Sequence, residues 1–197
     1  MDLVKTILNV LAALMLAMLP AAMLFWLLIH PLASVWRRLG PVKSYSIVGG
    51  VCLAVAYIIW TVHDPLMRVH WGYRPATVTT GIMLYVVGAV LDIWVQRRLR
   101  IPILLGLPEL SSGPNRLLTE GAYNIVRHPR YLAALVGIIG FSLICNYPAL
   151  YAVLGASIPV GWLLIVLEER ELRERFGDEY EEYCRQVPRI IPRWQGR

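Results

Sequence analysis

RHPRYLAALVGIIGFSLICNYPALYAVLGASIPVGWLLIVLEE (127–169) decides the fold of this 197-residue chain. Two apolar runs, 131–145 and 149–167, are joined only by Asn146-Tyr147-Pro148, a connection too short to do anything but reverse direction. The arms therefore form a hairpin that returns Glu168 and Glu169 to the level of Arg127, His128 and Pro129. Ionisable groups at the edge of hydrocarbon are costly, and a cluster of them there marks a functional site.

The remainder of the chain agrees with a membrane setting. Hydrophobic residues make up 57% and charged residues 16%, far more apolar than a soluble domain. A spanning helix needs about 20 apolar residues, because a rise of about 1.5 Å per residue must cross about 30 Å of hydrocarbon. Runs at 7–29, 45–62 and 76–95 join the hairpin arms to make five spans, of which 131–145 is the shortest. The fold class is an all-α membrane protein, with an N-terminal three-helix region over 1–95 and a core over 96–197. Pro20 and Pro159 fall inside spans and predict kinks. The first run extends through Phe25-Trp26-Leu27-Leu28-Ile29, too long for a signal core, so it is expected to stay as an anchor.

Lysine and arginine divide unevenly between the two ends of these spans. Lys5, Arg68 and Arg74 fall on one side; Arg37, Arg38, Lys43, Arg97, Arg98, Arg100, Arg116, Arg127, Arg130 and every arginine from Arg170 onward fall on the other. The positive-inside rule then puts the N-terminus outside and the C-terminus in the cytoplasm, as in a prokaryotic cytoplasmic membrane. Anionic headgroups account for the net charge of +6, which gives no case for nucleic acid. Asp92, the carboxylate inside a span, is expected to pair with Arg97 and Arg98 at the inner interface. Trp26, Trp36, Trp60, Trp71 and Trp94 sit near span ends, as interfacial tryptophans do. The three cysteines and four histidines have neither disulfide context nor metal-ligand spacing.

Beyond the hairpin, Leu172, Phe176, Tyr180, Tyr183 and Val187 recur at helical spacing. They predict an amphipathic surface helix starting at Glu168, bent or broken at Gly177, that covers the hairpin ends. Gly137, Gly140, Gly155, Ala156 and Gly161 are expected to permit close helix packing. Pro129 fits a first helical turn, whose free N–H groups favour an anion, with Arg127 and His128 as added donors. Glu168 and Glu169 can accept from an ammonium group or ribose hydroxyls. A ligand with an amino acid head and a nucleoside suits both halves, and S-adenosylmethionine is such a ligand. Taken singly, Arg127 also reads as a headgroup anchor, Tyr123 and Tyr131 as interfacial aromatics, and the glutamates as the solvated start of the tail helix.

Arg127-His128-Pro129-Arg130-Tyr131, Glu168-Glu169, Phe176-Gly177-Asp178-Glu179-Tyr180-Glu181-Glu182-Tyr183 and Val187-Pro188-Arg189 resemble the C-terminal signature of the isoprenylcysteine carboxyl methyltransferase family. That superfamily includes the small phospholipid N-methyltransferases. The resemblance implies an integral membrane enzyme with a cytoplasmic pocket for S-adenosylmethionine, S-adenosylhomocysteine as product, and a lipophilic acceptor taken from the membrane lipids. It implies that Asn115, Arg116, Leu117, Leu118 and Tyr123 line the cofactor, that Arg127, His128, Pro129, Arg130 and Tyr131 hold its amino acid portion, and that Glu168 is a further ligand. Glu169 is expected to orient Glu168 or accept a proton from an amine acceptor, and Arg189 to meet the acceptor. Two departures narrow the match: Leu164 replaces the arginine that the carboxyl methyltransferases place four residues before the glutamate pair, and Ala133 replaces a packing glycine. A non-catalytic module that keeps the fold is the alternative reading.

Overall fold

The computed structural model describes residues 2–97 and 117–192, and every regular element among them is helical. Helix α1 runs Asp2–Ile29, α2 Ala33–Leu39, α3 Pro41–Thr61, α4 His63–Leu66 and α5 Pro75–Gln96. A 3₁₀ turn, η1, spans Gly121–Asn124; it precedes α6 (Pro129–Cys145), α7 (Pro148–Phe176) and α8 (Asp178–Gln186). Pro41, Pro75, Pro129 and Pro148 each open a helix, where the missing N–H costs nothing. The hairpin turn is set by Asn146, which ends α6 in the left-handed region at φ 53° before Pro148 starts α7.

Helices α1, α3, α5 and α7 are long and apolar enough to cross a membrane. With 17 residues, α6 rises only about 25 Å and is the short member expected from the sequence. The helices containing Pro20 and Pro159 continue through both prolines. The ends of the bundle sort as the alternating spans require. At one end Asn146 Nδ2 donates to Gly72 O at 2.7 Å and the Tyr147 hydroxyl to Asn9 Oδ1 at 2.6 Å. At the other, His30 Nδ1 lies 3.1 Å from Glu171 Oε2.

One expectation is corrected. No separate tail helix begins at Glu168, because α7 carries on without a break to Phe176, 29 residues in all. Nothing between Leu167 and Gly177 stops it, and Arg170 pairs with Glu174 one turn on at 3.1 Å. The break comes at Gly177, whose φ of 52° turns the chain into α8. Both glutamates therefore sit inside a rigid helix about 43 Å long that outruns the hydrocarbon.

The most intimate contact joins α5 to α6, across the division at residue 95 that the sequence suggested. A Cβ at Gly88 would lie 2.6 Å from Gly137 N and 3.0 Å from Ala133 O; one at Gly81 would lie 2.7 Å from Gly140 O. Gly140 in turn faces the backbone of Tyr85. Of the glycines picked out in α6 and α7, Gly137 and Gly140 lie at this crossing, whereas Gly155 and Gly161 face open space. Lipid supplies no hydrophobic drive between helices, so such backbone approach is what holds them. Gly140→Ala should therefore lower stability by about 1–3 kcal/mol, while Gly155→Ala should be neutral or slightly stabilising. Thermal unfolding of the two variants in the same detergent would compare them directly.

Candidate functional site

The carboxylate of Glu169 is completely buried at the base of the site and gathers three side chains. Arg127 donates to Oε1 through Nε at 3.1 Å and Nη2 at 2.8 Å. Arg189 donates through Nε to Oε1 at 3.0 Å and Nη2 to Oε2 at 2.5 Å. His128 Nε2 lies 3.1 Å from Oε1, and Arg173 Nη2 lies 3.6 Å from Oε2. Burial alone would make the Arg127 guanidinium easier to deprotonate, but the hydrogen bonds and charge of Glu169 outweigh it and raise its pKa.

Backbone pairing reinforces this knot. Arg127 N donates to Pro188 O at 2.8 Å and His128 N to Arg189 O at 3.0 Å, while Arg127 Nη1 reaches Val187 O at 2.6 Å. Two of the N–H groups expected to greet an anion are thus already taken by the chain itself. Tyr180, Tyr183, Val187 and Leu117 form a small apolar core beneath, and the Tyr183 hydroxyl donates to Tyr123 O at 2.6 Å. The C-terminal segment is consequently stitched to the start of α6 and the end of the hairpin.

Above the knot lies a cavity of about 360 Å³. Its deep end is apolar, walled by Leu19, Ala22 and Met23 of α1, Ala134 and Ile138 of α6, and Leu164 of α7. Its outer end is polar and aromatic, formed by Tyr123, His128, Arg130, Glu168, Arg175 and Tyr180. From Leu19 to His30 along α1, the wall covers about 16 Å of helix rise. The Tyr180 hydroxyl is buried without a partner among the described residues, and the Glu168 side chain is one-third exposed. Burial pushes the Tyr123 phenol up to about 12, with Arg130 pulling it down and Glu168 pushing it further up; burial also raises Tyr180 and Tyr183. These phenols stay protonated at neutral pH and act as donors.

Of the residues picked out from the sequence, Leu117, Leu118, Tyr123, Arg127, His128, Pro129, Arg130, Tyr131 and Glu168 line the cavity. Asn115 and Arg116 lie outside the described residues. Glu169 and Arg189 do not line it: both are consumed in the knot, with the Arg189 guanidinium 5.0 Å from the Trp162 ring. A carboxylate already receiving arginine donors on both oxygens is unsuited to take up a proton, and Arg189 is turned away from an acceptor.

The cavity also uses residues that the sequence assigned elsewhere. Trp26 forms part of its wall, Arg130 rests 5.9 Å from that ring, and Arg175 comes in from α7. Asp92, expected to pair with Arg97 and Arg98, instead accepts a hydrogen bond from Gln96 and lines the cavity, while Arg98 lies outside the described residues. Trp36, expected at an interface, is buried between α1 and α3 and donates to Leu28 O at 2.8 Å.

An all-helical bundle with a half-polar, half-apolar cavity at one membrane boundary defines the class, an integral membrane protein built to bring a polar ligand against a lipophilic one. The chain belongs to the phospholipid methyltransferase family, whose model matches residues 76–179, just over half of it and including α5. Methanethiol S-methyltransferase 1 of Bradyrhizobium diazoefficiens is 32% identical over 161 residues, 77% of this chain and 55% of that protein. Protein-S-isoprenylcysteine O-methyltransferase B of Arabidopsis thaliana is 36% identical over 83 residues, 40% of each chain. Nickel-cobalt-cadmium resistance protein NccN of Alcaligenes xylosoxydans xylosoxydans is 26% identical over 114 residues, 52% of this chain and 54% of that protein. The chain thus spans about half or less of the length of these relatives. No solved structure matches it.

Glu169→Ala would strand two buried arginines, and breaking a buried pair in this way costs about 3–5 kcal/mol. Glu168→Ala, one residue away but partly exposed, should cost about 0.5 kcal/mol or less. Denaturation of both variants in one detergent measures the contrast.

Proposed function

We propose that this protein transfers the methyl group of S-adenosylmethionine to a lipophilic acceptor that enters the cavity from the bilayer. The single observation that carries the reading is the division of one cavity into a polar end above the Glu169 knot and an apolar end facing the hydrocarbon. The charge asymmetry of the loops supports a cytoplasmic position for the polar end, where a nucleoside cofactor is available.

The donor set at the polar end fits that cofactor. Glu168 offers a carboxylate to an ammonium group or to ribose hydroxyls, and Arg130 offers a cation to a carboxylate. The neutral phenol of Tyr123 and the unpartnered hydroxyl of Tyr180 offer donors, and Phe176 an apolar face for a nucleobase. Leu117 and Leu118 close the side of the cavity, and Pro129 with Tyr131 sets where α6 begins against it. Asn115 and Arg116 are proposed as further cofactor contacts on the resemblance alone.

When bound, the sulfonium supplies a methyl group already activated by positive charge. The chain's own task is to hold the two reactants in line and keep water out, and alignment of this kind is worth up to about 7–11 kcal/mol of barrier. Glu169 acts in this reading as a positioning residue, fixing His128 and the C-terminal segment beneath the cofactor. Leu164, buried and apolar where the carboxyl methyltransferases carry arginine, gives no cation to an acceptor carboxylate. The acceptors named for the relatives, a prenylated cysteine and methanethiol, differ in class, so the apolar end argues only for lipophilicity.

S-adenosylhomocysteine titrated into purified protein should bind, and Glu168→Ala should weaken binding at least about tenfold, the loss expected of one charge-assisted hydrogen bond. No saturable binding by the wild type would sink the enzyme reading, and equal binding by the variant would remove Glu168 from the cofactor site.

A further inference from the structure

We infer that Asp92 is the acceptor-side group of the cavity, and that the acceptor it selects carries an amine. The inference rests on the proposed methyl transfer and adds to it the chemical class of the acceptor.

Asp92 sits in α5, a membrane-crossing helix, where a carboxylate costs about 2.5–3.5 kcal/mol at mid-membrane and is kept only if it faces a partner or a water-filled space. It faces the cavity. Among the described residues its carboxylate takes one hydrogen bond, from Gln96, and no lysine, arginine or histidine lies within ion-pair distance of it. Its depth follows from the glycine crossing. Gly88 is packed on Gly137 and Ala133 of the antiparallel α6, so one turn further along α5 brings Asp92 level with the first turn of α6. That level is where the polar end gives way to the apolar wall of Ala134 and Leu164.

A lipophilic acceptor lying in the apolar end would therefore present its head to Asp92 on one wall and to Leu164 on the other. Neither offers a cation to a carboxylate head, and Asp92 repels one. An ammonium head would supply the charge partner that Asp92 lacks. Asp92 then takes one proton from that ammonium. The freed nitrogen lone pair forms the new N–C bond as the sulfonium S–C bond breaks, and that bond's electron pair stays on sulfur. The proton held by Asp92 leaves to water through the polar end.

The test uses full-length protein, wild type, Asp92→Asn and Asp92→Glu, in detergent and in vesicles of a double-chain phospholipid with an ethanolamine headgroup. S-adenosylhomocysteine affinity reports the fold and the cofactor half. It should be the same within about twofold in wild type and Asp92→Asn, since removing a carboxylate from the acceptor wall touches no cofactor contact. Transfer of labelled methyl to the vesicle lipid should fall about 100-fold or more in Asp92→Asn, the usual loss when a general base is removed, and recover in part in Asp92→Glu. Without cofactor, affinity for dodecylamine should drop about tenfold in Asp92→Asn while that for dodecanoate does not drop. Label entering a prenylcysteine carboxylate but not the amine lipid overturns the inference, as does Asp92→Asn turning over amine lipid at the wild-type rate. Loss of S-adenosylhomocysteine affinity in Asp92→Asn alone would move Asp92 to the cofactor half and equally overturn it. No affinity in the wild type would defeat the methyl-transfer reading itself, and the inference with it.

Discussion

A single buried carboxylate organises the functional half of this protein. Glu169 has no exposure to solvent, and an isolated charge there would be untenable without Arg127, Arg189 and His128 around it. Those partners come from three places in the chain: the start of α6, the extension of α7 and the segment after α8. Satisfying one charge therefore fixes three elements in register, and the backbone bonds from Arg127 and His128 to Pro188 and Arg189 follow from that docking. The polar floor of the cavity is a consequence of the knot.

The membrane supplies the second constraint. The close approach of α5 and α6 at Gly81, Gly88, Gly137 and Gly140 sets both the depth and the rotation of these helices. Rotation decides which side chains see the cavity, so the glycine crossing is what turns Asp92 inward. The rigid extension of α7 beyond the hydrocarbon carries Glu168 to the cavity and Glu169 to the floor, although the two are neighbours in sequence.

Hydropathy and turn chemistry made most of the fold legible: the hairpin, the short α6, the sorting of helix ends and the break at Gly177 all follow from runs of apolar residues and from Asn, Pro and Gly at their edges. The motifs at 127–131 and Glu168 pointed to the cavity because order and spacing survive in one dimension. Other features did not read through. The division of labour between Glu168 and Glu169 depends on helix phase, which adjacent identical residues cannot reveal. Trp26, Asp92 and Arg175 looked like interfacial or solvated side chains because their direction is set by packing between helices far apart in sequence. The helix assigned to the tail alone proved continuous with α7, since a change from apolar to charged composition is a change of solvent and not a helix stop.

The central claim is that the stitched segments around Glu169 form the floor of a ligand site that faces one side of the membrane only. Hydrogen–deuterium exchange of the purified protein with and without saturating S-adenosylhomocysteine tests it most directly. The account predicts slower exchange on ligand addition in 121–131 and 178–189, with no change in 62–74 at the opposite end of the bundle. Unchanged exchange in both former segments under saturation, or protection confined to 62–74, would contradict it.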